Sequence, residues 1–363
     1  MKVKAVDIAR TLGISKSTVS LALNNKPGVN ENTRREVIEC KERLEKGLEV
    51  PVRESRSSHP ASRQQVKVLR INNGMKQIIG AEMDLWTDVN AVFEKCLQAH
   101  NYSMGVMYLD FRDPDDYIRM YEECNNDSVA GVIIFGTEVV EADLGKIRGI
   151  HKPLVIYDCP LPTADYPTVM INNKQGIELA VEELFSKGNE DIVFLNNPMP
   201  MFNYRSRTEG FIASMSKRGI TDLTDRIVLT DSSIRGVYEM LHEYLKNHRL
   251  PQAFITGSYH VSIGLIRALD TAGVKIPEDV SIIGIDEIPD YMTVRKALTC
   301  IRVPHTERAY WTIQLLFREI DNPPREKSRL YTDCVLVSGE TVLDRRFGGA
   351  APAPLSALRV QAG

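Results

Sequence analysis

The stretch VDIARTLGISKSTVSLALNNKPGVNENTRREV, residues 6–37, decides how the first part of the chain folds. Ala5, Ile8, Ala9 and Leu12 recur at helical spacing, Gly13 permits a tight turn, and Ser15 is placed to cap a second helix running to about Asn24. A helix, a glycine turn and a helix make the supersecondary unit of helix-turn-helix DNA binders. At ~100° per residue from Lys16, the residues Ser20, Asn24, Ser17 and Leu21 gather on one slender polar face. Leu23, Val19, Ala22 and Thr18 fall on the other, which reads as core. Short side chains let the free face enter a major groove about 12 Å wide, with Lys16 and Ser17 near the helix N-terminus meeting base edges. Pro27-Gly28 turns the chain, Asn30 caps a third helix, and Thr33, Val37, Cys40 and Leu44 give that helix a packing stripe.

Charge follows the same division. The net charge of the 363 residues is -3, yet residues 1–65 carry thirteen Lys and Arg against eight Asp and Glu, a surplus of five. The remainder therefore carries a net eight negative charges. A basic first segment suits phosphate neutralisation, and an acidic remainder leaves DNA contact to it. Residues 50–65, VPVRESRSSHPASRQQ, are too polar to build a core and read as a linker.

From Val66 onward, short continuous apolar runs alternate with helical segments. VKVLRI (66–71), MGVMYL (104–109), GVIIF (131–135), LVIY (154–157), IVFL (192–195), AFIT (253–256) and SIIGI (281–285) read as strands covered on both faces. Between them lie helical patterns at 82–99, 174–186, 207–217, 261–272 and 306–320. Repeated βα alternation implies parallel sheets, and about 280 residues are more than one such sheet needs, so two α/β lobes with a ligand crevice at the strand C-termini are expected. The low-complexity end, residues 348–363, is expected to be disordered.

Other classes of function lack their motifs. No G-x-G-x-x-G follows the first strand, and no Walker sequence or G-x-S-x-G is present, so no enzyme is expected. Six scattered cysteines without a C-x-x-C pair and seven histidines without ligand spacing suggest no metal, no cofactor and no disulfide framework. His242-Glu243 opens like a zincin motif, but the next histidine, His248, lies six residues on rather than four. No apolar run reaches the ~18 to 20 residues of a membrane span, and an acid at Asp7 interrupts any signal-peptide core, so a cytoplasmic, nucleoid-associated protein is expected.

The whole string at 6–37 resembles the headpiece of the LacI/GalR family of bacterial transcription regulators, and the likeness continues through LVIYD (154–158), LAVEELFSKGNEDIVFLNN (179–197), RTEGFIASMSKRGI (207–220), AGVKIPEDVSIIGIDEIP (272–289) and ALTCIRVP (297–304). The resemblance implies a homodimer on a near-palindromic double-stranded operator and a periplasmic-binding-protein-like core with an effector between its lobes. The implied domains are a headpiece at 1–48, a hinge at 49–65 and a core at 66–347. Its N-lobe is expected at 66–160 and 293–322 and its C-lobe at 161–292 and 323–347. Carried over by motif, Lys16, Ser17 and Leu21 take base-reading positions, and Ser15, Thr18, Ser20, Asn24, Asn30, Thr33 and Arg34 take phosphate positions. Leu21 stands where many members carry an arginine or histidine, and it offers only apolar contact.

In the cleft, the resemblance makes Arg207, Asp158 and Asp286 effector ligands, with Trp86 read either as a stacking face or as core. The resemblance implies a sugar or related metabolite as effector, but Ser258-Tyr259 replaces the family's asparagine-aspartate pair and Gly339 replaces a common arginine, which leaves an unusual sugar, a non-sugar metabolite or no effector as alternatives. The hinge lacks the family's leucine lever, which leaves Arg53, Arg56 and Arg63 as candidates for a narrow minor groove. The competing readings are a sensor controlled by a protein co-regulator, a solute-binding protein and an enzyme on the same core.

Overall fold

The computed structural model describes residues 4–12, 16–24, 31–46, 63–74, 83–161, 163, 165–288 and 295–347. The expected hinge, apart from its last residues, and the tail at 348–363 lie outside the described residues. The chain divides into two compact units, Met1–Gln64 and Gln65–Gly363.

In the first unit, α1 (Ala5–Leu12), α2 (Lys16–Leu23) and α3 (Glu31–Glu45) enclose a small core. Ile8 and Ala9 from α1, Val19 and Ala22 from α2, and Val37 and Cys40 from α3 are buried together, with Leu12 and Leu44 packed at the edges. The stripe spacing read from the sequence therefore meets across three helices. Leu23 departs from the expected core face: it is the last residue of α2 and is exposed. The Lys4 amide donates to Asp7 Oδ2 at 3.1 Å, which gives a carboxylate to the first turn of α1.

The second unit begins at β1 (Gln65–Asn72) and continues through α4 (Met83–Ala99), β2 (Ser103–Asp110), α5 (Pro114–Cys124), β3 (Val129–Phe135), α6 (Leu144–Ile147), β4 (Leu154–Tyr157) and β5 (Thr168–Ile171). There follow α7 (Asn173–Ser186), β6 (Ile192–Asn196), α8 (Phe202–Ser216), β7 (Ile227–Leu229), α9 (Ile234–Asn247), β8 (Ala253–Thr256), α10 (Tyr259–Thr271) and β9 (Ser281–Ile285). β10 (Thr299–Arg302), α11 (His305–Asp321), β11 (Arg329–Thr332) and β12 (Val335–Val337) complete the described strands and α-helices. The strands form two six-stranded sheets, in the orders β11-β5-β4-β3-β1-β2 and β12-β10-β9-β8-β6-β7. All pairs are parallel except β10 with β12. In each sheet the order reverses once, beside β1 and beside β6, and the chain after β4, β8 and β9 leaves from the carboxyl ends where ligands of such sheets bind.

The expected lobe boundaries need correction in three places. β5 and β11 lie within the stretches expected for the C-lobe, 161–292 and 323–347, but belong to the first sheet, and β10 lies within 293–322, expected for the N-lobe, but belongs to the second. The chain thus passes between lobes after β5, after β10 and after β11. The first lobe thus gains β5 and β11 and the second gains β10; β11 pairs with β5 only after the whole second sheet but β12 has intervened, which local pattern cannot register. Two passages are tied together where Asn172 Nδ2 donates to Asp333 Oδ1 at 2.7 Å. β2 also departs from the expected double coverage. It is an edge strand whose Val106 and Tyr108 are exposed while Met107 and Leu109 are buried, so its period-two alternation marks one solvent-facing side.

Candidate nucleic-acid interface and ligand cleft

The second helix of the headpiece carries its polar residues outward because Val19 and Ala22 are drawn into the core. Ser20 and Asn24 are exposed and Leu21 is half-buried, all on the face the sequence reserved for DNA. Lys16 and Ser17 lie in the first turn of α2, with side chains outside the described residues; Ser15 and Asn30 lie outside them altogether. Thr18, Thr33 and Arg34 are half-buried. Two expected phosphate contacts have internal work as well. Asn24 Nδ2 donates to the Ser20 carbonyl at 2.8 Å, and Arg34 Nη1 to the Ala22 carbonyl at 3.5 Å. The Ser20 carbonyl also takes the Asn24 amide at 3.1 Å, so the Asn24 side chain adds a second donor at the end of α2, and Arg34 adds a positive charge there.

The residues expected to line the cleft lie at the carboxyl ends of the core strands and on the helices beside them. Asp158 follows β4 with φ 75°, and Asp286 follows β9 with φ 66°. Aspartate tolerates this left-handed region better than most residues, so the two positions at matching strand ends carry a modest local cost. Arg207 comes from α8 and is buried. Its Nε donates to Asn173 Oδ1 at 2.8 Å, and its Nη1 to the Gly257 carbonyl at 2.6 Å. Asn173 Nδ2 passes a hydrogen bond to Asn203 Oδ1 at 2.7 Å, and Asn203 Nδ2 donates to Asp158 Oδ2 at 2.8 Å. A continuous polar chain therefore runs from the end of β8 in the second lobe to the end of β4 in the first. Gly210 lets α8 approach α7 closely, since a Cβ there would lie 3.0 Å from the Lys174 Cα; this approach brings Asn173 within reach of Arg207.

Asp158 also accepts from Thr137 Oγ1 at 3.0 Å and pairs with Arg308. The Arg308 guanidinium is almost wholly buried and lies 4.2 Å from the Tyr157 ring centroid. Asp286 meets His305 Nε2 at 3.1 Å. Burial works to raise the Asp286 carboxyl, but the His305 hydrogen bond and the nearby Arg207 and Arg308 charges outweigh it and hold that pKa below its ordinary value. Ser258 is buried at the N-cap of α10, where its carbonyl, not its hydroxyl, meets the helix through Ser262. Trp86 falls in α4, with its side chain outside the described residues.

The structure thus gathers Asp158, Arg207 and Asp286 with Asn173, Asn203, His305 and Arg308, four residues the sequence reading passed over. Asn203 had a signal: it precedes Arg207 by one helical turn, but the helix was expected to begin only at 207. Nothing in the local pattern singles out His305 and Arg308, and only the fold turns them inward.

Residues 6–45 match the family described as bacterial regulatory proteins, lacI family, and residues 181–342 match the periplasmic binding protein-like domain. A curated relative, the HTH-type transcriptional repressor PurR of Glaesserella parasuis, is 23% identical over 330 residues, covering 91% of this chain and 94% of its own. The lac repressor dimer bound to operator and the anti-inducer ONPF superposes with a TM-score of 0.67 at 18% identity, over 94% of this chain and 100% of that one. A LacI family transcriptional regulator from Enterococcus faecium with bound ribose gives 0.64 at 22% identity, over 77% and 99%.

Proposed function

Since the chain belongs to the LacI family of bacterial regulatory proteins, we propose that it is a transcriptional repressor that binds a near-palindromic operator and responds to a sugar or related metabolite held between its core lobes. The observation that carries this reading is the buried seam of Ile8, Val19, Ala22, Val37 and Cys40, which turns the polar side of α2 outward as a groove-reading face. Lys16, Ser17 and Leu21 read base edges. Ser15, Thr18, Ser20, Asn24, Asn30, Thr33 and Arg34 meet phosphates, Asn24 and Arg34 while also closing the end of α2. In the core, Arg207 and Asp286 are the polar groups offered to the effector, supported by their position at the carboxyl ends of the second sheet.

Two recognition helices are needed for two half-sites, so the working unit is a homodimer. The first lobe supports it with exposed apolar side chains, Val106 and Tyr108 on the edge strand β2 and Ile118 on α5, which packs against β2. No helix among the described residues is long and apolar enough to cross a membrane, which accords with a cytoplasmic regulator on DNA. Operator selection from random duplexes with the full chain at moderate salt, with and without a panel of sugars, tests the reading. It expects one near-palindromic sequence to be enriched and at least one sugar to change its retention. Equal recovery of all sequences overturns it.

A further inference from the structure

The two carboxylates assigned to a ligand come from different lobes, and one helical turn reaches both. α11 packs on α4 and on the first sheet, but it starts three residues after β10, a strand of the second sheet. Its first turn therefore sits at the passage between lobes. His305 reaches Asp286 at the end of β9 in the second lobe. Arg308, three residues on and on the same face, reaches Asp158 at the end of β4 in the first lobe. Asn203 of the second lobe completes the crossing by donating to the same Asp158.

We infer that the first turn of α11 is a built-in bracket that holds the two lobes together across the cleft without a ligand, with Arg308 as its positioning residue. The inference goes beyond the proposed function, because it concerns what occupies the cleft before any effector arrives. Three observations converge on Arg308. It is the largest of the fully buried side chains. Its position stacks the guanidinium on Tyr157 and points it at Asp158 while leaving its own buried Nε without a hydrogen-bond partner. A buried donor left unmade is a cost, so the ion pair and the stacking dictate where this side chain lies. Without Arg308, Asp158 would be a buried charge held by two neutral donors, and Asn203 would lose the fixed carboxylate that it crosses the cleft to meet.

The bracket also divides the labour of the two carboxylates. Asp158 already takes Thr137, Asn203 and Arg308, so a ligand reaches it only by displacing a donor. Asp286 takes His305 on one oxygen, and its other oxygen accepts from no described residue. A ligand therefore adds to Asp286 but competes at Asp158, which makes occupancy of the first-lobe side of the cleft incompatible with the intact bracket.

Hydrogen exchange read by mass spectrometry on the full chain, with neither DNA nor any small molecule, tests this independently of effector or operator. The variants are Arg308→Gln, Arg308→Lys and Asn203→Ala, the last leaving the ion pair intact. The expected result is that Arg308→Gln and Asn203→Ala each speed exchange about tenfold or more in peptides on both cleft faces, 154–161 and 202–208. In Asn203→Ala, which keeps the ion pair, peptides of β8 should stay at the wild-type rate, and Arg308→Lys should restore most of the protection lost in Arg308→Gln. Acceleration spread evenly over the core in Asn203→Ala, no change in that protein, or acceleration confined to α11 in Arg308→Gln overturns the inference.

Discussion

The headpiece and the core place their working side chains in opposite ways. In the headpiece the residues offered to DNA stand on the outside of α2, and burial is spent on Val19, Ala22 and their partners. In the core the polar residues are themselves buried and hydrogen-bonded to one another, from Gly257 through Arg207, Asn173 and Asn203 to Asp158. A surface reader can exchange side chains with little effect on its fold. A cleft whose groups satisfy each other cannot, because removing one leaves its partners buried and unpaired. Function and stability are separable in one unit and fused in the other.

The largest effect expected from breaking this contrast comes from Val19→Asp. A buried unpaired charge costs about 4 kcal/mol or more, enough to unfold a three-helix unit of this size. Calorimetry should show the core transition unchanged while operator affinity falls at least a hundredfold, to the non-specific level; a shifted core transition would tie the two units energetically. Arg308→Leu strikes the fused unit instead. Stranding Asp158 should cost about 3–5 kcal/mol and lower the core melting temperature by roughly 10 °C, with the headpiece still binding operator DNA as an isolated fold does.

His260 gives the core a pH signature that the headpiece lacks. Burial is the main cause that pushes its pKa down to about 4, with the Asp286 charge working the other way. The folded value lies below the unfolded one of about 6.5, so the unfolded chain takes up the proton first as pH falls. The stability held above pH 6.5 is then lost as pH falls towards 4, by about 3 kcal/mol in all. Denaturant titrations of the core across this range should show that slope, and His260→Gln should flatten it; an unaltered slope would assign it to other groups. The smallest effect belongs to the surface reader. Leu21→Ala should weaken the selected operator by about 1 kcal/mol and relax preference at one base pair, with the salt dependence of binding unchanged, since no charge is lost. A changed salt slope in direct binding titrations would place Leu21 away from the bases.

Periodicity made much of this architecture readable. Helices expected at 82–99, 174–186, 261–272 and 306–320 are found at Met83–Ala99, Asn173–Ser186, Tyr259–Thr271 and His305–Asp321, because each has an apolar stripe that repeats locally. The seven expected strand runs all lie in the two sheets. What failed depended on distance. α8 starts at Phe202 rather than 207, and the missing turn held Asn203. β5, β10 and β11 were placed in the wrong lobe because a four-residue strand carries no mark of which sheet it will join.

The sequence by itself determined the three headpiece helices, the outward face of α2, the two-lobed α/β core and the separation of a basic first unit from an acidic second one. Those properties follow from neighbours within a turn or a strand, where geometry is set by the backbone period. Only the tertiary structure decided that Asp158 is already claimed by Arg308 and Asn203, and that His305 and Arg308 hold carboxylates from different lobes. Those contacts join residues as many as 150 positions apart, and an ion pair that owes its existence to burial cannot be seen until the fold has excluded water from it.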